Sequence, residues 1–244
     1  MIRSELRDGV GVGVLTIDRD ERRNALDIEH CDALGAAAAK LAAEGARALV
    51  ITGAGSSFCS GADMGGVYGD GFRTALYSAL RGITALRIPV LAAVNGPAVG
   101  AGTQLAIACD LRVASESAFF AVPTARNGLA VDPWTIRRLA LLAGGGAAHA
   151  MLLGCDRVDA ALAHQRGLVD RLGDTDSALR WAEEIAELAP LSLAYSKQAL
   201  HTLDEPSTWE PLLDAAFDAC WDSEDIAESK AAQAENRTPR FRGR

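Results

Sequence analysis

The sequence predicts an α/β fold made of repeated strand–strand–helix units, closed by a helical C-terminal region. Two observations carry that reading. Apolar runs at 48–52 and 89–94 have the length and content of strands buried on both faces, and helical stretches alternate with them. Beyond about residue 134 the chain instead reads as helix after helix, broken by glycines.

Taken in order, residues 10–17 alternate β-branched side chains and predict a strand. Residues 28–43 form an alanine-rich helix that stops near Gly45. The strand at 48–52 ends at Gly53 and Gly55. Leu76, Leu80 and Ile83 have helical spacing within a helix predicted over 72–86. Strands follow at 89–94, 111–114 and 118–121. Short helices at 133–143, 147–153 and 160–166 are separated by Gly144-Gly145-Gly146, Gly154 and Gly167. Longer ones are expected at 176–188, 191–203, 209–221 and 223–236. Their apolar residues exceed what one small core needs, which points to burial against another subunit. The expected organisation is a core over 1–189 and a helical assembly region over 190–244, ending in a basic tail with Phe241. No internal repeat is legible in the residues.

Composition bounds the function. The 244 residues are 49% apolar and 23% charged, as in a globular protein with a full core. A formal charge of −8 argues against general nucleic-acid binding, which needs phosphate-neutralising Lys and Arg. The five cysteines are widely spaced with no C-x-x-C pair, and the four histidines have no zinc-like spacing. Reduced thiols, a cytoplasmic location and no metal site are therefore expected. Residues 88–109 could span a bilayer by length, but Pro89, Asn95-Gly96-Pro97, Gly100 and Gly102 divide the stretch into strand, turn and short helix. Gly53-Ala54-Gly55 and Gly100-Ala101-Gly102 each lack the third glycine of a dinucleotide fingerprint.

What the glycines do suggest is a pair of turns. Phe58-Cys59-Ser60-Gly61-Ala62-Asp63 and the stretch 88–109 each put a small-residue turn after an apolar strand, and each can aim a backbone N–H at one point. Two such donors make an oxyanion hole. These segments, with Arg22-Arg23-Asn24-Ala25-Leu26, Cys109-Asp110, 154–169 and Asn236-Arg237-Thr238-Pro239-Arg240-Phe241, run in an order that resembles the enoyl-CoA hydratase/isomerase (crotonase) superfamily over essentially the whole chain.

The resemblance implies a spiral of strand–strand–helix turns (a ClpP-like fold), C-terminal helices that form trimers or dimers of trimers, and acyl-CoA thioester ligands with no separate cofactor. It puts the oxyanion donors on the N–H groups of Ala62 and Ala101, and assigns coenzyme A contacts to Arg22, Arg23, Ala25, Ala62, Asp63, Met64 and Arg240. The glycine-rich segment 65–71 would border the acyl pocket, with Tyr68, Tyr77, Leu80 and Trp134 as wall residues or plain core. The departures matter more. Where hydratases of the superfamily carry two catalytic glutamates, this chain has Gln104 and Thr124. Neither side chain titrates near neutral pH, and each lost acid–base group costs roughly 10²–10⁴ in rate.

One carboxylate remains. Asp132 matches a position that is functional in some dienoyl-CoA isomerases, yet Asp132-Pro133-Trp134 also has the form of an N-cap followed by proline at the first helical position. The expectation is a protein that binds fatty acyl-CoA through an oxyanion hole with little or no hydratase activity. The alternative is an enoyl-CoA isomerase using Asp132 alone, or a weak hydratase.

Overall fold

In the computed structural model, the described residues are all except 8, 10, 64, 66–69, 202, 204–217, 219–220 and 241–244. Two sheets organise them. Six strands, β1 (Ile2–Arg7), β2 (Val12–Ile17), β3 (Ala48–Gly53), β4 (Val90–Val94), β6 (Leu111–Ala114) and β9 (Arg171–Leu172), lie side by side in that order. All neighbours are parallel except β1 and β2. The second sheet joins β5 (Ala98–Val99), β7 (Phe119–Ala121) and β8 (Arg157–Asp159).

Parallel neighbours need crossovers, which helices supply. Helix α1 (Ile28–Ala43) links β2 to β3, α2 (Asp70–Thr84) links β3 to β4, and α3 (Ala101–Ala108) links β5 to β6. Period-two alternation sorts the sheet's faces. Leu49, Ile51, Ala92 and Val94 face the main core with α1, α2 and α3, while Ala48, Val50, Leu91 and Ala93 face Ala178, Ala182 and Ile185 of α7 (Thr175–Ala186). The large sheet is thus covered on both sides, as its uninterrupted apolar strands require.

Four of the remaining helices, α4 (Pro133–Ala143), α5 (Gly145–Leu153), α6 (Ala160–Gln165) and α8 (Pro190–His201), match the expected spans within a few residues, as does α9 (Glu224–Ala234). The helix expected at 209–221 lies mostly outside the described residues. Four strands were not expected, and one of them, β5, is only two residues long and follows the expected turn at 95–97. In β1 four of the six residues are polar or charged, which suits an exposed antiparallel edge. The strands β8 and β9 are three and two residues long, too short to show a period. The region after residue 134 is therefore helical with two short strands inserted.

Helix α8 is held to the core by charge. Lys197, 7% exposed, donates to Asp110 Oδ2 at 2.8 Å and to the Ile88 carbonyl at 3.0 Å, and His201 Nε2 lies 3.3 Å from Asp110 Oδ1. The same helix leaves Leu191, Tyr195 and Leu200 exposed. The stretch 88–109 is divided into β4, β5 and α3, and among the described residues no helix is long and apolar enough to cross a membrane. Cys31, Cys59, Cys109 and Cys155 are buried free thiols, whereas Cys220 lies outside the described residues.

Candidate functional site

The two turns expected to supply N–H donors are bound to each other. Cys59 donates to the Pro97 carbonyl at 3.1 Å, Val99 donates to the Cys59 carbonyl at 3.0 Å, and Cys59 bridges Ala98 in parallel. This approach is possible only because Gly102 lacks a side chain. A Cβ there would lie 2.1 Å from the Cys59 carbonyl oxygen, well inside contact distance. Gly61 has φ +109° and Gly100 φ +54°, left-handed values that let each turn reverse just before its donor residue.

Ala62 and Ala101 both line one cavity of about 110 Å³, and among the described residues neither N–H is given to a protein acceptor. Ala101 is the first residue of α3, so its N–H is one of those a helix cannot satisfy internally. The helix dipole adds partial positive charge at the same point. Such a cavity is somewhat smaller than the ~150 Å³ cavity that holds benzene in an engineered protein.

All eight residues of α3 are buried, which creates a problem at its other end. Carbonyls there have no water to accept from. Two buried arginines supply the donors. Arg112 reaches the carbonyls of Ala106 at 3.4 Å and Cys109 at 2.8 Å, and Arg138 Nε reaches Ile107 at 3.2 Å. Asp170 lies 3.3 Å from the Arg112 guanidinium. These arginines were not singled out from the sequence, because a buried arginine and a surface one look alike there.

The segment 19–26 is stitched to the first turn. Ser60 donates its N–H to Arg23 at 3.0 Å and its hydroxyl to Arg22 at 3.3 Å; Leu26 donates to Gly61 at 2.8 Å, and Asp63 to Leu26 at 2.6 Å. Fully buried Asn24 ties the loop down: it accepts from the Arg19 N–H at 2.9 Å and donates to Ala54 and Ser57 at 2.8 and 2.7 Å. Its φ of +58° is in a region that Asn tolerates better than most residues. Arg22 and Arg23 are exposed and Ala25 is buried. The structure thus brings Arg22, Arg23, Ala25, Ala62 and Asp63 together, while Met64 lies outside the described residues. Asp63 accepts from the Gly65 N–H at 3.1 Å and pairs with Arg19 at 2.9 Å; these contacts, the backbone one first, hold its carboxyl below the usual range. Arg240 is elsewhere, with its N–H on Glu228 at 2.7 Å beside α9.

The rest of the cavity is made by side chains. Gln104 lies one turn beyond Ala101 and lines it with Tyr77, Thr124, Phe72 and Leu76. Gln104 is only 4% exposed, and its Nε2 donates to Thr135 Oγ1 at 2.9 Å. The Tyr77 phenol is pushed up by burial, with Gln104 and the Asp132 backbone as hydrogen-bond partners. Asp132 caps α4, accepting from the Thr135 N–H at 3.3 Å and from the Thr135 hydroxyl in a shorter bond. Burial raises its carboxyl above the usual value.

Asp132 does not line the cavity, although Ala130 and Val131 do. Leu80 is buried core and Trp134 packs partly buried against it, so neither lines the cavity. Tyr68 lies outside the described residues. Arg73 and Trp221, not singled out from the sequence, do line it, with the Arg73 guanidinium 4.9 Å from the Trp221 ring centre. Burial pushes the Cys59 thiol up to about 12, which leaves it a poor nucleophile. Among the described residues no cluster of His, Cys, Asp and Glu could hold a metal ion.

The profile of the enoyl-CoA hydratase/isomerase family matches residues 7–244. The probable enoyl-CoA hydratase echA6 of Mycobacterium tuberculosis is 42% identical over 233 residues, 94% of this chain and 96% of that protein. A probable enoyl-CoA hydratase of Rhodobacter capsulatus is 35% identical over 255 residues, 100% of this chain and 98% of that one. Among solved structures, an enoyl-CoA hydratase/isomerase from Pseudoalteromonas atlantica aligns with a TM-score of 0.84 at 30% identity, covering 99% of both chains. The chain belongs to the enoyl-CoA hydratase/isomerase family and has the crotonase fold.

Proposed function

We propose that this member of the enoyl-CoA hydratase/isomerase family binds fatty acyl-CoA thioesters and holds or presents them, with little or no hydratase turnover. The observation that carries the reading is the contrast within one cavity. Two backbone donors, Ala62 and Ala101, meet there, while Gln104 and Thr124 stand among its lining and, among the described residues, no carboxylate does. Backbone donors suit a thioester oxygen. Hydration also needs a group that deprotonates water and one that protonates carbon, and an amide and an alcohol do neither near neutral pH. Asp132, capping α4 from behind the lining, is poorly placed for direct proton transfer.

The coenzyme A portion then runs past Ala62 and Asp63 toward the exposed Arg22 and Arg23, and no separate cofactor is required. Exposed Leu191, Tyr195 and Leu200 support assembly into a trimer or a dimer of trimers through α8. Titration with saturated and enoyl-CoA of equal length should give similar affinities, because the donors address the thioester oxygen and not the double bond. Ultraviolet absorbance should show no hydration in the same preparation, and light scattering should give a multiple of three chains. Rapid hydration of crotonyl-CoA, or no affinity for any acyl-CoA, would refute the reading.

A further inference from the structure

The cavity that Ala62 and Ala101 line carries a cation in its wall. Arg73 lines it among apolar neighbours such as Phe72, Leu76 and Val131, and among the described residues no carboxylate side chain does. Asp132 caps α4 behind that lining. A guanidinium stays charged at any working pH, so this wall is permanently positive. The position of Arg73 in its helix is informative too. It falls in the first turn of α2, where the helix dipole disfavours a cation, so helix stability does not account for the charge. Trp221, brought in from the C-terminal region, lies against the same group. The Arg73 guanidinium sits over its ring, 4.9 Å from the centre and inside the ~6 Å range of a cation–π contact. A guanidinium stacked by its flat face carries its N–H donors in the plane, along the edge. That edge is what pairs with a carboxylate through two parallel bonds.

We propose that Arg73, steadied by Trp221, is a specificity-determining residue, and that the acyl group the cavity selects ends in a carboxylate: an ω-carboxyacyl thioester and not a plain hydrocarbon chain. This rests on the acyl-CoA-binding reading above and narrows its ligand. A cavity of about 110 Å³ is small enough that the far end of a short acyl chain stays close to its wall. A methyl end beside Arg73 displaces water from a charged group and offers it no hydrogen bond. A carboxylate there replaces that water with charge-assisted bonds. The carboxylate is desolvated as well, so selection depends on the pairing geometry that the Trp221 contact holds. Tyr77 stands one turn along α2 on the same side of the cavity, and its phenol, kept protonated by burial, is a further donor.

The test uses the full chain and three coenzyme A thioesters of one chain length: valeryl, glutaryl, and the terminal amide of glutaryl, which is neutral and nearly the shape of the acid. Calorimetric titration at neutral pH should show glutaryl-CoA binding roughly 10-fold or more tightly than either neutral ligand, as one charge-assisted pair provides. Arg73→Gln should bring that ratio to about one or below, with glutaryl-CoA losing the most. Arg73→Lys keeps the charge without the planar fork and should hold an intermediate preference. Trp221→Leu should reduce the preference by about 2- to 5-fold, the range of one cation–π contact. The wild-type ratio and Arg73→Lys decide the matter even where Arg73→Gln does not fold. A purely structural role for Arg73, or a contact with the coenzyme A portion that all three ligands share, would weaken the three alike and overturn the proposal. Glutaryl-CoA binding no better than valeryl-CoA in the wild type overturns it too, as does a preference that survives Arg73→Gln; valeryl-CoA still binds in those cases and the acyl-CoA reading stands. If the wild type binds none of the three, that reading falls and this one with it.

Discussion

The two ends of the cavity are built by different means. At the end proposed to take the thioester, the cavity is lined by Ala62 and Ala101, and what holds these turns is backbone against backbone, with Gly102 lying over the Cys59 carbonyl. At the other end the polar groups are side chains, Gln104, Thr124 and Tyr77, with Gln104 tied by a hydrogen-bond relay through Thr135 to Asp132. One helix connects the two. A backbone donor outlasts any substitution that keeps the chain's course, whereas side-chain acid–base chemistry disappears with one replacement. Binding and proton transfer can therefore part company within a single fold.

The largest expected effect comes from rebuilding the side-chain end. Gln104→Glu together with Thr124→Glu should raise hydration of crotonyl-CoA by about 10²–10⁴, followed by loss of its ultraviolet absorbance. The relay sharpens this expectation. A glutamate at 104 cannot donate to Thr135 as the amide does, and it adds a carboxylate near Asp132. Adding Asp132→Asn should therefore increase the gain. An inactive, well-folded triple variant would mean that this end has been reshaped beyond its missing acids.

Next comes the backbone end. Gly102→Ala adds a Cβ 2.1 Å from the Cys59 carbonyl oxygen, so the turns must separate. Urea unfolding should show a loss of about 1–3 kcal/mol, and acyl-CoA affinity should fall by roughly tenfold or more as one oxyanion donor moves. Ala101→Gly retains the N–H and should cost only about 1 kcal/mol of stability, with binding little changed. If Gly102→Ala bound acyl-CoA normally, the donors would not depend on this close approach.

The smallest effect concerns acid. Asp63 follows Ala62, and its carboxyl is held below the usual carboxylate range by the Gly65 N–H and by Arg19. A depressed carboxyl contributes stability above its unfolded value, and that contribution is lost as pH falls through the folded value. Wild type should therefore lose about 1 kcal/mol more than Asp63→Asn below pH 4, measured by unfolding across pH. Equal acid sensitivity would show that Asp63 does not secure this turn.

Much of the fold was legible because it is local. The limits of α1, β6 and α4 fall where alanine content, an apolar run and the Asp132-Pro133 start predict them. Both small-residue turns were legible too, since small residues after an apolar strand leave the backbone few other courses. The strands β1, β5, β8 and β9 escaped notice because a charged edge or a pairing of two or three residues has no periodicity of its own.

What the sequence by itself determined was the α/β architecture, the small-residue turns that expose N–H groups, and the absence of glutamate at 104 and 124. Only the tertiary structure decided that Asn24 ties the 19–26 loop to the first turn, that Arg112 and Arg138 satisfy the buried end of α3, and that Asp132 faces Thr135 and not the cavity. The physical reason is distance along the chain. A turn is set by the residues within it, but a buried polar group takes its role from whichever partners folding places within about 3 Å, and those lie up to dozens of residues away.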